Sequence, residues 1–360
     1  MERKWSIRAY RDGDEEGILE LWKAVYPAKE LNREQWLKQW HWMYKNNPAG
    51  SGRIWLAEDK DRIVGQYAVI PVLIKLVSKT IIGALSLATM THPAYRHQGL
   101  FETLAKKTYA EVARDGIHIV YGFPNELSYP GFIKKLNWFD ITTMQSMFRP
   151  LNWESVIKKR IKNKFLSRTS VSVISSVFDK VSFRTKRNAT VPGLTITQIS
   201  SFDESINEFL ARVSNQCQIM VARSKDHLNW RYVAVSDTDY MIYIAQKAGE
   251  IHGYITLRCM QQGQAKTGVI FDILAQSEHV AQCLIWKCIE QCEQKKVDTI
   301  SCNMIASKMY FRAFKRNGFI SMPFKKGSQF CAYSSAPYVS KEFLQDAKNW
   351  FVQYGDSDQL

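Results

Sequence analysis

The first ninety residues switch from a helix-like to a strand-like hydrophobic pattern. Apolar residues at helical spacing predict one helix that begins at Asp12 or Asp14 and ends near Val25. The same spacing predicts a second helix from Asn32 to Tyr44. Shorter apolar runs separated by turn residues predict strands at residues 6–10, 53–58, 62–77 and 80–91, the third of them bent at Pro71.

After residue 91 the pattern changes from strand to loop and then to helix. A polar loop covers residues 92–99. Apolar residues then repeat at three and four positions over residues 100–115, and Gly116 provides a C-terminal stop. The elements predicted next are a strand at 117–122, a short helix from Asn125 to about residue 136, a left-handed stop at Asn137 and a strand at 138–148.

The same order of predicted elements recurs in the second half of the chain. These elements fall at residues 194–199, 202–215, 241–246, 252–260, 267–274, 277–295, 298–303, 307–317 and 330–333. A repeat of element order with a period near half the chain indicates a duplicated domain. The predicted fold class is α+β, with two tandem domains that each hold a mixed, mostly antiparallel sheet flanked by helices.

The domain boundaries follow from this repeat. We predict a first domain at residues 1–149, a basic and partly helical connector at 150–192, and a second domain at 193–336. Residues 337–360 are predicted to form a C-terminal helix, which carries Trp350, Phe351 and Tyr354, and an acidic tail.

Composition suits a globular protein, since 46% of the 360 residues are hydrophobic and 23% are charged. The best apolar stretch, residues 63–77, is shorter than the roughly 20 residues of a membrane helix, and no signal peptide is expected. All seven cysteines follow residue 216 without a CxxC pair. Cys288 and Cys292 could hold a metal, but a buried helix face explains them, so we expect no metal and a reducing, cytoplasmic location.

The net charge of +15 is concentrated in one segment. Residues 156–190 contain ten Lys or Arg and a single acid, Asp179. Two interpretations stay open: a solvated helical connector, or a surface for peripheral contact with an anionic membrane or an acidic partner. No RNA-binding or helix-turn-helix signature accompanies the segment, which argues against nucleic acid as a partner.

The segment from Arg96 to Phe101 carries the most informative chemistry. A helix start exposes about four unpaired backbone N–H groups and a partial positive charge. A glycine at position 99 lets a diphosphate approach the backbone, and Arg96 adds a fixed cation with two-pronged donor geometry. Neither GxxxxGK[ST] nor GxGxxG is present. The segment therefore predicts a pyrophosphate site of another type.

In its context of preceding strand and following helix, this segment resembles the main motif of the GNAT (Gcn5-related N-acetyltransferase) superfamily, (Gln/Arg)-x-x-Gly-x-(Gly/Ala). Arg96 and Gly99 match it, whereas Phe101 stands where the family has a small residue. A second family motif is matched by Asn125 and Ser128. The Asn137–Trp138 pair stands in for its closing Gly–aromatic pair. The resemblance covers about residues 5–149.

This resemblance implies an acyl-coenzyme A co-substrate, acetyl-CoA or another acyl-CoA. In the family, backbone groups of the strand that ends near residue 91 pair with the pantetheine arm, and that strand and the next splay apart. The residues implied to bind the co-substrate are Leu87, Thr89, Thr91, Arg96, His97, Gln98, Gly99, Leu100, Phe101 and Asn125. For Asn125 a simple helix cap is the alternative role.

The resemblance also suggests catalytic residues. Tyr129 is the tyrosine available to meet the departing thiolate, although the family register places that tyrosine at Phe132, and packing would also explain Tyr129. The strand at 80–91 has no Asp or Glu, so His92 and Glu126 are the candidate general bases. A turn histidine exposed to solvent is the alternative interpretation of His92.

The acidic C-terminus offers a different base. In the enhanced-intracellular-survival aminoglycoside acetyltransferases, which this chain resembles in its tandem order, the terminal carboxylate reaches the active site. Asp356, Asp358 or the Leu360 carboxylate could do the same here. The alternative is a frayed acidic tail. Mycothiol synthases and Fem-like transferases show a similar tandem order.

The second half lacks the Arg and Gly of the diphosphate motif. Asp272 and Glu278 lie near the corresponding helix start, where carboxylates would repel a diphosphate, so this half is not expected to bind coenzyme A.

The predicted function is N-acyl transfer from acyl-CoA to a small-molecule amine. An amino sugar of surface-polysaccharide synthesis is the acceptor that the resemblance suggests. Aromatic residues in the region that shapes the family's acceptor pocket suit a sugar ring, although core packing also explains Trp36 and Trp40. The alternative function is a non-catalytic scaffold that keeps coenzyme A binding.

Overall fold

The computed structural model describes residues 4–28, 32–152, 190–236, 238–262, 265–321 and 328–358. Nearly all of the basic segment lies outside the described residues, and so does the Leu360 carboxylate. Among the described residues, no helix has the length and apolar character needed to cross a membrane.

As far as residue 135, the first half follows the predicted order. Its elements are β1 (Ser6–Ala9), α1 (Glu15–Val25), α2 (Arg33–Tyr44), β2 (Arg53–Asp59), β3 (Arg62–Leu76), β4 (Lys79–Thr91), α3 (Leu100–Arg114), β5 (Ile119–Gly122), α4 (Tyr129–Lys135), β6 (Phe139–Thr143) and β7 (Gln145–Pro150). Asp14 lies at the N-cap of α1, but its side chain makes no cap hydrogen bond. Other local signals behave as predicted. Asn32 accepts a hydrogen bond from Gln35 N and so caps α2. Gly116 and Asn137 take left-handed φ angles of 81° and 56°.

The second half contains more elements than were predicted. They are β8 (Thr195–Ile199), α5 (Ser205–Val213), β9 (Ile219–Val221), α6 (Lys225–Tyr232), β10 (Tyr240–Lys247), β11 (Glu250–Gln262), β12 (Ala265–Ala275), α7 (Glu278–Gln294), β13 (Thr299–Ile305), α8 (Lys308–Arg316), β14 (Ile320–Ser321), β15 (Gln329–Ser334), α9 (Lys341–Gln345) and β16 (Trp350–Gln353). The additions include β9, α6 and β16.

The strands form one continuous mixed sheet with helices packed against it, which confirms the predicted mixed α/β fold class. One arrangement occurs twice. β2, β3 and β4 pair antiparallel, and β5 then pairs parallel to β4 after the crossover helix α3. β10, β11 and β12 do the same, and β13 pairs parallel to β12 after α7.

The two halves exchange strands at their junction. The predicted single strand at 138–148 is wrong, because the chain divides at Met144 into β6 and β7. β7 leaves the first half and pairs antiparallel with β13. In return β15 inserts between β5 and β6 of the first half. Strand pairing of this kind joins residues far apart in the chain, so a local hydrophobic pattern could not show it.

The C-terminal residues also differ from the prediction. The prediction of a helix that carries Trp350, Phe351 and Tyr354 is wrong. Residues 350–353 instead form β16, which pairs parallel with β9 and antiparallel with β13. Aromatic and β-branched residues favour a half-buried pleated surface, and the edges of β9 and β13 supply the backbone partners.

A pair of tryptophans joins the two halves beside this strand. The indole Nε1 of Trp42 in α2 donates to the Trp230 carbonyl oxygen at 2.7 Å, and Trp230 Nε1 donates to the Trp42 carbonyl oxygen at 3.0 Å. Their rings stack with centroids 4.7 Å apart. Each buried indole N–H is therefore satisfied by the other half of the molecule.

Candidate functional site

The site begins where β4 and β5 separate. Their parallel pairing runs from Ala84–Val120 to Ser86–Gly122 and then stops. β4 continues to Thr91 with β3 on one edge only. On its other edge, residues 87–91 therefore have no strand partner among the described residues, and a ligand could pair with backbone groups that face this edge.

A bulge shapes the strand at this opening. The register between β3 and β4 shifts between Gln66 and Ala68, and Ala88 takes a left-handed φ of 46°. The side-chain amide of Gln66 donates to the Ala88 carbonyl oxygen at 2.9 Å. Bulges re-aim backbone groups, and this one lies directly at the gap between the two strands.

The loop predicted to bind the diphosphate follows β4 and leads into α3. Gly99 takes a φ of 82° at the N-cap, and no side chain caps the helix. Backbone N–H groups of His97, Gln98 and Gly99 donate no hydrogen bond within the described part of the chain. Arg96 is exposed beside them. The first turn of α3 adds further N–H groups that no helical carbonyl can reach. This geometry offers several donors and one cation to an anion.

Phe101 departs from the family motif, and the structure shows what compensates for its size. Its ring lies over Gly131 of α4, where an added Cβ would come within 2.8 Å of the ring. It also packs edge-on against Phe132, with centroids 5.2 Å apart. The missing small residue on α3 is therefore balanced by a glycine on the facing helix.

Asn125 and Tyr129 lie together at the start of α4. The Asn125 Oδ1 atom accepts from Leu127 N at 3.0 Å and from Ser128 N at 2.9 Å. These hydrogen bonds close the turn just before α4, whose N-cap is Ser128, so Asn125 does not cap the helix itself. A contact of Asn125 with pantetheine stays a prediction. The Tyr129 hydroxyl donates to Asp140 Oδ2 at 2.6 Å. That hydrogen bond raises the pKa of Tyr129.

The two predicted bases do not lie together. His92 Nδ1 accepts from Ala94 N at 3.2 Å, and its Nε2 lies 2.8 Å from an Arg62 nitrogen. Partial burial, with the nearby Arg62 and Arg96 cations, lowers the pKa of His92. Glu126 is exposed on the loop that precedes α4. A catalytic role for either residue stays a prediction.

A cleft lined by aromatic residues opens on the other side of β4, and we call it the aromatic pocket. It encloses about 570 Å³ of space that opens to solvent. Helices α1 and α2 form its wall, and the bulge of β4 forms its floor. Its lining includes Trp22, Trp36, Trp40, Tyr44, Gln66, Leu87, Ala88 and Asp358.

Three buried polar atoms of this lining have no hydrogen-bond partner among the described residues: Trp40 Nε1, Tyr44 OH and Gln66 Oε1. Their residues are 5%, 4% and 1% exposed. A buried polar group without a partner costs about 1–3 kcal/mol, so such groups are rare in folded proteins. Three residues of one pocket lining therefore carry a buried polar atom without a partner among the described residues.

The C-terminal tail reaches this pocket. Asp358 lines it, and Asp356 is buried. The frayed tail considered from the sequence is therefore wrong for residues up to 358. Burial, with the nearby Asp358 carboxylate, raises the pKa of Tyr44 and of Tyr26. The tail places a carboxylate beside unpaired polar atoms and beside the opened edge of β4.

Sequence reasoning missed Gln66 and undervalued Asp358. A glutamine inside an otherwise apolar strand, between Gly65 and Tyr67, was the available signal for Gln66. No local pattern indicates Asp358, because its position depends on how β16 pairs.

In the second half, the two carboxylates predicted to repel a diphosphate are both held in ion pairs. Asp272 does not face a helix start, because it is 2% exposed and forms an ion pair with Arg223 at 3.0 Å. Glu278 is held by Arg312 at 2.7 Å and by Arg316 at 2.6 Å. Repulsion by free carboxylates is therefore the wrong reason to expect no diphosphate site in this half, and the expectation itself stays a prediction.

Comparison with known proteins agrees with this geometry. Residues 6–139 match the family model described as an acetyltransferase (GNAT) domain. No protein of known function in the curated set matches the chain in sequence.

Solved structures show the same fold. One similar structure is a GCN5-related N-acetyltransferase from Anabaena variabilis, with 11% identity and a TM-score of 0.62 over 91% of this chain and 72% of that one. A GCN5-related N-acetyltransferase from Kribbella flavida shares 10% identity with a TM-score of 0.62 over 91% and 70%. N-myristoyltransferase from Saccharomyces cerevisiae, with bound myristoyl-CoA, shares 12% identity with a TM-score of 0.57 over 92% and 83%.

The chain thus has the GNAT fold, and its N-terminal part, residues 6–139, is similar in sequence to a GNAT acetyltransferase domain. At these identities the similar structures establish the fold and leave the substrate open.

Proposed function

We propose that this protein is an N-acyltransferase that moves an acetyl or similar acyl group from acyl-CoA to an amine. The observation that carries the proposal is the opening between β4 and β5. On one side of it lies the loop from Arg96 to Gly99, and on the other lies the aromatic pocket with its unpaired polar atoms. A donor and an acceptor could therefore meet at the bulge of β4.

The donor would lie along the opened edge of β4. Its diphosphate would bind the N–H groups at the start of α3 and the Arg96 guanidinium. The pantetheine amides would pair with the backbone of residues 87–91, which lacks a strand partner on that side. The thioester would then lie near Leu87 and Ala88, at the floor of the aromatic pocket.

The acceptor would occupy the aromatic pocket. Among the described residues, its lining contains one carboxylate, Asp358, and no Lys or Arg, which favours a cationic or neutral amine over a carboxylate- or phosphate-bearing one. Trp40 Nε1 can only donate and Gln66 Oε1 can only accept, so the acceptor should carry hydroxyl groups as well as the amine. An amino sugar has these groups, and its ring suits the aromatic walls.

Asp358 is our candidate general base. The amine nitrogen would attack the thioester carbonyl carbon, a C–N bond would form and the C–S bond would break. The nitrogen would lose its proton to the Asp358 carboxylate. The departing thiolate would take a proton from the Tyr129 hydroxyl, which would give up its hydrogen bond to Asp140. The products are the amide and coenzyme A.

A negative charge introduced at position 99 tests the proposed acetyl-CoA site. An added Cβ there meets nothing within 4 Å, and both Asp and Asn tolerate a left-handed φ better than most residues. We expect Gly99→Asp to abolish acetyl-CoA binding, because its carboxylate faces the diphosphate. Gly99→Asn should keep most of the affinity. Arg96→Ala should weaken binding about 10–100-fold, as the loss of a charge-assisted hydrogen bond does. Isothermal titration calorimetry measures all three.

Arg114→Ala is the matched control for Arg96→Ala. Arg114 lies at the opposite end of the same helix and pairs with Glu111, so its loss should leave the affinity unchanged. Equal affinity of Gly99→Asp and the parent would refute the donor site.

A non-catalytic scaffold is the alternative, and the aromatic pocket argues against it. An enzyme and a scaffold would both be stabilised by acetyl-CoA, by about 2.7 kcal/mol at a concentration 100 times the dissociation constant. Only an enzyme would release coenzyme A thiol when amines are added. An amine panel with amino sugars, aminoglycosides and polyamines separates the two.

The acceptor side is tested by removing one hydroxyl. Tyr44→Phe deletes a buried hydroxyl that has no partner among the described residues. We expect the free protein to become more stable by about 1 kcal/mol, because a buried unsatisfied group is lost. The acceptor KM should rise several-fold while acetyl-CoA affinity stays unchanged. Urea unfolding and steady-state kinetics measure these opposite effects.

Tyr67→Phe is the matched control. The Tyr67 hydroxyl accepts from Ser86 Oγ at 2.9 Å and is hydrogen-bonded to Tyr109. Its loss should lower the free energy of unfolding by about 1–3 kcal/mol. If Tyr44→Phe destabilised the protein in the same way, its hydroxyl would not face the acceptor.

We also propose a cytoplasmic location, in keeping with seven cysteines that are all free thiols. Peripheral contact of residues 156–190 with an anionic membrane remains a proposal, based on their ten basic residues.

A further inference from the structure

The second half contains an opened strand pair like that of the first. β12 and β13 pair in parallel from Thr267–Thr299 to Ile270–Cys302, and the pairing then stops. A register shift between Thr256 and Leu257 of β11 lies opposite this point, as the Gln66 shift does in the first half. β12 continues to Ala275, so its backbone beyond Ile270 needs partners other than β13.

Gln353 of β16 supplies one of these partners with its side chain. Gln353 Nε2 donates to the Ile273 carbonyl oxygen at 2.7 Å, and Gln353 Oε1 accepts from Ile273 N at 3.0 Å. A side-chain amide thus pairs with the free strand edge through both of its groups. In the first half, the corresponding edge is the one that we propose for the pantetheine amides.

Tyr310 of α8 supplies a second side-chain partner to β12, at Ala275. Its hydroxyl accepts from Ala275 N at 3.1 Å. Tyr310 and Gln353 are each 1% exposed, so this part of the opening is filled with protein.

We propose that the chain's own C-terminal segment is a built-in ligand of the second opening, and that this docking positions Asp358 in the aromatic pocket. The second half would then hold the tail and bind no coenzyme A. Gln353, Asp356 and Gly355 are positioning residues in this proposal. The part that concerns Asp358 rests on the proposed function.

A buried ion pair holds the tail at Asp356. Arg223 donates to Asp356 Oδ2 at 2.7 Å and to Asp272 Oδ2 at 3.0 Å. The three side chains are 0%, 3% and 3% exposed. Asp356 Oδ2 also accepts from Gln353 N at 2.8 Å, and Gln353 Nε2 donates to Asp272 Oδ1 at 2.7 Å. The carboxylates, the guanidinium and the amide thus form one connected network.

Both halves of the molecule contact the tail backbone. Tyr121 of β5 donates to the Asp356 carbonyl oxygen at 3.1 Å. Arg231 of α6 donates to the Gly355 carbonyl oxygen at 2.8 Å. A Cβ added at Gly355 would overlap the Tyr232 hydroxyl, so only glycine allows the tail to pass this close.

Chain length limits where Asp358 can go. Two residues reach at most about 7 Å even when fully extended. While Asp356 stays bound to Arg223, the Asp358 carboxylate cannot move far from the pocket that it lines.

A double-mutant cycle tests the positioning role. We expect Asp356→Asn and Gly355→Ala each to lower kcat about tenfold or more, with acetyl-CoA affinity unchanged. When either substitution is combined with Asp358→Asn, kcat should not fall below that of Asp358→Asn alone, because each substitution acts through Asp358. A purely structural role would give multiplicative losses, which would overturn the proposal. Urea unfolding confirms that each variant is folded under the assay conditions.

The docking itself is tested without any enzyme assay. Hydrogen exchange at the Ile273 amide should be slow in the parent and at least tenfold faster in Gln353→Leu. Calorimetry with acetyl-CoA should give one site per chain in both proteins. Unchanged exchange in the variant, or two sites in the parent, would contradict the proposal. If no amine is acylated but exchange depends on Gln353, the docking stands and the proposed function fails.

Discussion

Replacing Asp358 by asparagine is expected to lower kcat by about 10²–10⁴-fold, the range that removal of a general base produces. Asparagine has nearly the same shape but cannot take a proton from the attacking amine. Acetyl-CoA affinity should not change, because Asp358 lines the aromatic pocket and not the diphosphate loop. Steady-state release of coenzyme A thiol gives kcat, and calorimetry gives the affinity.

Glu126→Gln and His92→Gln are the controls for this result, because both residues were candidate bases from the sequence. Neither lines the aromatic pocket, so each variant should keep most of the parent's kcat. A large loss in either one, with a small loss in Asp358→Asn, would move the base to that residue.

Replacing Arg223 by methionine should lower the free energy of unfolding by about 3–5 kcal/mol. Arg223 is the cation that lies between Asp272 and Asp356 in a fully buried site. Without it, two carboxylates would remain in a region of low dielectric constant. Burial already raises the pKa of Asp356, which shows how costly its charge is there. The urea unfolding midpoint measures the change.

Arg33→Met is the matched control, because Arg33 forms an exposed ion pair with Glu16. Its unfolding midpoint should equal that of the parent. In the triple variant Arg223→Met/Asp272→Asn/Asp356→Asn, much of the lost stability should return, since no buried charge would be left unpaired. A midpoint of Arg223→Met close to the parent's would show that these carboxylates do not depend on the guanidinium.

The donor loop shows which features can be predicted from the sequence. A helix start, a left-handed glycine and an adjacent arginine all depend on residues close together in the chain. The structure accordingly places Gly99 at the N-cap of α3 with φ 82°. The partner of Phe101 was not predictable in this way, because Gly131 lies on another helix and nothing local links the two positions.

The aromatic pocket shows which features could not be predicted from the sequence. Trp40 and Tyr44 have helical spacing, which predicted a buried face correctly but could not tell core packing from a pocket. That distinction depends on whether Trp40 Nε1 and Tyr44 OH find partners, and it is set by the surrounding elements.

By itself the sequence determined the order of helices and strands as far as α4, the mixed α/β class and the loop with a left-handed glycine before α3. These depend on hydrophobic periodicity, capping and glycine conformation, all of which act within a few residues. Only the tertiary structure decided the exchange of β7 and β15, the docking of Gln353 on β12 and the position of Asp358. Each of these is a pairing between residues far apart in the chain, and burial of backbone groups against the right edge selects it.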